Sequence, residues 1–152
     1  YNLLVKSAEF ENITGLEVQK HFFKITDQYS IDSILKQIEE HKWYLSEKSG
    51  REVEMTFAAN DWIENIYKPI IKEFNKLKIF DYFINTNSVK LYTDIMAHKY
   101  YLSIEKGEDI GIYSAIRSYS EKHSDKEESL LSKFVEKLLK RLTKIIPPNY
   151  NL

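Results

Sequence analysis

The stretch His41-Lys42-Trp43-Tyr44-Leu45-Ser46 returns 57 residues later as His98-Lys99-Tyr100-Tyr101-Leu102-Ser103. The correspondence runs without a gap from Ile38/Ile95 through Trp62/Tyr119, a window of 25 positions of which eight are identical. The identical residues are Ile38, His41, Lys42, Tyr44, Leu45, Ser46, Gly50 and Ala58, matched by Ile95, His98, Lys99, Tyr101, Leu102, Ser103, Gly107 and Ala115. Glu52/Asp109, Val53/Ile110 and Met55/Ile112 change conservatively. Self-similarity at a fixed offset means that one supersecondary unit is used twice. Two copies are too few for a solenoid, so a pseudo-two-fold arrangement with the first helices of the two copies face to face is the expectation.

The periodicity inside the repeat is helical. Ile34, Ile38, His41 and Leu45 fall at i, i+4, i+7 and i+11, and Leu91, Ile95, His98 and Leu102 repeat that stripe. Ser30 or Asp32 is positioned to cap the first of these helices, and the turn signal 85–88 the second. Gly50 and Gly107 follow the last turn, where a left-handed residue is favoured. The second helix of the first copy carries Met55, Ala59, Trp62, Ile66, Ile70 and Phe74, with Pro69 inside the pattern; its ring is expected to kink or divide the helix. Ile110 to Tyr119 begins the matching helix of the second copy.

Flanking segments complete the picture. Tyr1 to Thr14 has a partial helical stripe stopped by Gly15, and 18–26 reads as an extended connector because no partner strand is evident. A short apolar link spans 79–83 and a polar break 121–126. Ser124 with Glu127 forms a capping-box pattern for a last helix over about 125–146, carrying Leu131, Val135, Leu138, Leu142 and Ile145 and ended by Pro147-Pro148. The expected fold is an all-α helical bundle, one domain over 1–152, built from two repeated helix pairs plus terminal helices.

Composition limits the function. A net charge of −1 gives no global field to attract nucleic acid or an anionic membrane. With no Cys, disulfides, thiolate catalysis and Cys-ligated zinc are excluded. No apolar run approaches the roughly 18 residues of a spanning helix, so no membrane partner is expected and a cytoplasmic location is. The chain starts at Tyr1 rather than Met and is expected to be part of a longer protein. No Walker, dinucleotide, G-x-S-x-G or H-E-x-x-H pattern occurs, so no cofactor is expected.

The candidate site residues are few. His41 and His98 sit at equivalent places on apolar stripes, as buried structural imidazoles or, alternatively, as a metal pair between facing helices. Ile38/Ile95 at i−3 and Tyr44/Tyr101 at i+3 supply no carboxylate for such a metal. His41, Tyr44, Trp62, Tyr67, His98 and Tyr101 are expected at the interface or cleft between repeats, while Lys42 and Lys99 are expected on solvated faces. Trp43 and Tyr100 read as repeat packing rather than a base-stacking platform. Lys133, Lys137, Lys140, Arg141 and Lys144 make the last helix basic. That suits a helix C-terminus opposite Asp125, Glu127 and Glu128, and alternatively offers a nucleic-acid contact. Its apolar face is a candidate partner surface.

The order Phe10-Glu11-Asn12-Ile13-Thr14-Gly15-Leu16, Ile25-Thr26 with Tyr29, the Ile38…His41 helix, Ala58-Ala59-Asn60-Asp61-Trp62-Ile63-Glu64-Asn65-Ile66-Tyr67-Lys68-Pro69-Ile70, and Leu91-Tyr92 with His98 carries a resemblance. It resembles a helical domain that follows ParB-like (sulfiredoxin-like) domains in prokaryotic transcriptional regulators. The W-x-x-x-x-Y-x-P element is its most specific part. An Arg/Glu/Asp-bearing run of that domain is replaced here by Phe83-Ile84-Asn85-Thr86-Asn87-Ser88-Val89-Lys90-Leu91-Tyr92. The resemblance implies a regulatory, DNA-linked context and carries over no activity to particular residues. The expected function is a non-catalytic interaction or regulatory domain with a protein partner or homodimer, with nucleic acid as the alternative.

Overall fold

A computed structural model describes residues 2–22, 25, 27–78, 82–83, 86–124, 127–146 and 150. The fold is all-α, with no strand among the described residues. The helices are α1 (Asn2–Thr14), α2 (Val18–His21), α3 (Gln28–Ser49), α4 (Met55–Trp62), α5 (Lys68–Lys76), α6 (Ser88–Lys106), α7 (Gly111–His123) and α8 (Glu128–Leu142). A π turn, Ile63–Tyr67, separates α4 from α5. Pro69 lacks the N–H that an α-helix would aim one turn back, and this wide turn ends two residues before it. The chain divides at the same place into two compact units, 1–67 and 68–152.

In the first unit α3 packs on α4, and both rest on α1. Its core is Phe10, Phe22, Ile34, Ile38, Trp62 and Tyr67, all at most 4% exposed. Asp27, not Ser30 or Asp32, caps α3: its carboxylate accepts the Ser30 N–H at 2.8 Å. The expected extended connector begins as the short helix α2, because Glu11 Oε1 accepts the Val18 N–H at 2.9 Å and Phe22 N–H bonds back to Val18 O at 2.7 Å. That turn drops Phe22 into the core beside Phe10, Trp62 and Tyr67. Residues 23, 24 and 26 of the connector lie outside the described residues.

In the second unit α6 packs on α5 and α7, and α8 covers both α5 and α7. The first half of α6 is buried nearly all round, with Leu91, Tyr92, Thr93, Ile95 and Met96 each at most 3% exposed. Asn87 caps it by accepting the Lys90 N–H at 2.9 Å, within the expected turn signal. Glu127, not Ser124, is the N-cap residue of α8. Ser124 ends α7 instead, and its hydroxyl donates to Tyr82 O at 3.1 Å. Accordingly α8 starts at Glu128, its neighbours Asp125 and Lys126 lie outside the described residues, and so do Pro147 and Pro148. Residues 79–81 and 84–85 of the expected link and turn also lie outside them.

The apolar face of α8 is largely turned inward. Leu131, Leu138 and Leu142 are 6%, 1% and 0% exposed, covered by α5 and α7. Arg141 fixes the same packing, donating from Nη1 to Glu73 Oε2 of α5 at 3.0 Å.

Candidate functional site

In the first unit the repeated residues close a helical hairpin. His41 is 2% exposed, and its Nε2 lies 2.7 Å from Asp61 Oδ2 on α4. A carboxylate only accepts, so the ring proton sits on Nε2 and is donated to Asp61. The other oxygen of Asp61 accepts from Asn65 Nδ2 at 2.9 Å. Burial holds the His41 imidazole below its ordinary pKa, opposed by the hydrogen bond and charge of Asp61. Tyr44 stacks on the imidazole at 6.1 Å.

Two further bonds fasten the loop. The Ser46 hydroxyl donates to Lys42 O at 2.8 Å and accepts the Val53 N–H at 3.1 Å. Lys42 Nζ reaches Glu52 Oε1 at 3.0 Å. Gly50 turns the chain at φ 73°, a conformation a β-carbon would strain.

The second unit repeats this set at the same offset. His98 Nε2 lies 2.8 Å from Ser118 Oγ, the counterpart of Asp61. Ser103 Oγ accepts the Ile110 N–H at 3.2 Å, Lys99 Nζ pairs with Asp109 at 3.1 Å, and Gly107 has φ 74°. Ala58 and Ala115 are both 0% exposed. Lys99 therefore does not project from a solvated face, and Lys42 is half-buried. Each spans the hairpin loop to the acid ten residues on, and the Lys99 side chain is only 7% exposed. Asp109→Asn leaves that ammonium without its counter-charge and is expected to cost about 1 kcal/mol, since Asp109 itself is partly solvated. Glu52→Gln, on an 84% exposed side chain, is expected to fall within about 0.5 kcal/mol. Urea midpoints of the two variants check the difference.

The copies differ around the imidazole. In the second, the acid comes from Asp94, which accepts from the Tyr119 hydroxyl and pairs with Lys90 at 2.9 Å. Burial first, then Asp94, pushes the Tyr119 phenol up to about 12. His98 is held below its ordinary value by burial, then by the charges of Lys122 and His123. Tyr119 lies edge-on to His98 at 5.9 Å and tilts against His123 at 4.4 Å.

The remaining candidates separate into core and surface. Trp62 and Tyr67 are core residues stacked at 5.1 Å, and burial raises the Tyr67 phenol well above its ordinary value. Trp43, Tyr100 and Tyr101 are surface residues of their own units, at 66%, 44% and 69% exposure. Lys133, Lys137, Lys140 and Lys144 are exposed, whereas Arg141 is engaged by Glu73. Among the described residues no three His, Asp or Glu side chains are grouped to hold a metal ion, and no helix is long and apolar enough to cross a membrane.

Residues 23–67 and 55–123 match a family described as a domain of unknown function, DUF4032, over more than half of the chain. The chain belongs to the DUF4032 family. The matched DUF4032 region contains both hairpins, α3–α4 and α6–α7, with their histidines. No curated protein and no solved structure matches the chain.

Asp61, Ser118 and Asp94 were not among the residues expected at the site. The first two were findable, because they occupy one position of the ungapped repeat, 20 residues after each histidine.

Proposed function

We propose that the chain is a non-catalytic helical interaction module of a prokaryotic regulator of the ParB-like type, acting in the cytoplasm. One observation carries the reading: the repeated His, Lys and Ser residues each bond within their own hairpin. Side chains held in this way stiffen a scaffold, and the surface they leave is suited to contact. Tyr100, Tyr101 and Ile104 lie on the last turns of α6, at 44%, 69% and 61% exposure. The two tyrosine rings meet edge to face at 5.8 Å. Aromatic side chains of this kind supply contact area with few torsions to freeze.

The partner proposed for this face is a second copy of the chain, since a two-fold dimer lays one patch on itself. Light scattering is expected to give a dimer for the wild type and a monomer for Tyr101→Glu. A monomer in both removes self-association. The reading frame upstream of Tyr1 tests the regulator context: a ParB-like domain supports it, and an unrelated enzyme domain removes it.

A second reading, a nucleic-acid-binding module, is favoured by the exposure of Lys133, Lys137, Lys140 and Lys144 on one basic helix. Salt-dependent DNA or RNA binding lost on charge reversal at Lys137 and Lys140 supports it. No binding at low salt ends it.

A further inference from the structure

An open groove of about 700 Å³ runs between α7 and α8. Leu139 and Tyr113 line it, Lys137 and Lys140 stand on its α8 side, and Arg117 stands on its α7 side. Arg117 is already paired with Glu136 at 2.6 Å, so the uncompensated charge lies on the lysine side. That side is longer than the groove. Lys133, Lys137 and Lys140 fall at i, i+4 and i+7, with Lys144 one turn on, a stripe of about 16 Å.

We propose that this groove takes an amphipathic helix of a partner protein, its acidic stripe along the lysines and its apolar stripe on Leu139 and Tyr113. The inference rests on the reading of the chain as an interaction module and names the chemistry of one partner. A cationic row beside a partly apolar floor is complementary to two stripes on a single helix, and a trough between two helices accommodates a third. Nucleic acid fits less well. The apolar lining, Leu139 and Tyr113, gains nothing from a sugar–phosphate chain, whereas it accepts the apolar stripe of a helix.

The test uses fluorescence anisotropy with a labelled synthetic helical peptide bearing Glu at i, i+4, i+7 and i+11 beside a Leu stripe. Its controls are a scrambled peptide of equal composition and a short DNA duplex. The ordered peptide is expected to bind and the scrambled one to bind at least about tenfold more weakly. Lys137→Glu with Lys140→Glu is expected to weaken the ordered peptide about tenfold or more, the scale of two lost charge pairs turned repulsive. Thr143→Glu, which adds an acid to the groove lining, should weaken it independently. All three positions are exposed, so unchanged circular-dichroism melts show that the fold is intact. Equal binding of both peptides, indifference to the variants, or tighter binding of the duplex overturns the proposal. If it falls while the wild type still dimerises through Tyr101, the interaction-module reading stands and only the groove assignment is lost.

Discussion

Trp62→Ala should cost about 3–5 kcal/mol, the largest loss expected from any single change discussed for this chain. Trp62 is 0% exposed, stacked on Tyr67 at 5.1 Å and touching Phe22 at 6.3 Å between ring centroids. Removing the indole takes a shared wall from both rings and leaves a cavity among Phe22, Tyr67 and the end of α4. Against a typical stability of about 5–15 kcal/mol, much of the margin disappears. Urea denaturation followed by circular dichroism gives the size of the loss. Fluorescence separates the two tryptophans, because Trp43 is 66% exposed and only Trp62 reports the core. The residue also reads from sequence as part of a cleft. If that were its main role, the alanine variant would keep its urea midpoint within about 0.5 kcal/mol, and the packing described for the first unit would be wrong.

The apolar stripes were legible because they depend on local spacing alone. Ile34, Ile38, Leu91 and Ile95 are buried where a 3.6-residue period puts them. Gly50 and Gly107 end their helices for an equally local reason. Features set by distant partners were not legible in that way. Lys42 and Lys99 sit where a helical wheel suggests solvent, yet each is drawn across a loop by an acid ten residues on. Ser124 has the spacing of a cap for α8, but it closes α7, and α8 is entered at Glu127. The identical tyrosines diverge for a packing reason. In the first unit Trp62 is committed to Phe22 and Tyr67, leaving the His41 ring to Tyr44. In the second, Tyr119 at the Trp62 position lies against His98 itself, and Tyr101 is left at 69% exposure. An alignment of the two copies shows which residues correspond, but not which of them wins a shared partner.

His41→Ala is expected to cost about 2–3 kcal/mol at neutral pH, through an unfilled core volume and the lost bond to Asp61. The stronger diagnostic is its pH dependence. Burial holds both His41 and His98 below the ordinary imidazole value of about 6.5 in the folded chain. Between the folded and unfolded values the unfolded chain binds more protons, so stability rises with pH in that window. The contribution is complete above about pH 6.5, falls as the solution is acidified below it, and levels off once the folded imidazoles are protonated. Urea midpoints of the wild type should therefore decline on mild acidification, and less so in His41→Gln, where one of the two groups is gone. Asp61→Asn acts in the opposite direction. It removes the charge that favours the imidazolium, lowers the His41 value further, and makes the acid loss steeper. A wild type whose midpoint stays level through the weakly acid range, or an Asp61→Asn variant that becomes more acid-resistant, would mean that His41 is not a buried neutral donor. The two hairpins would then be held by something other than the bond between their histidines and the helix opposite.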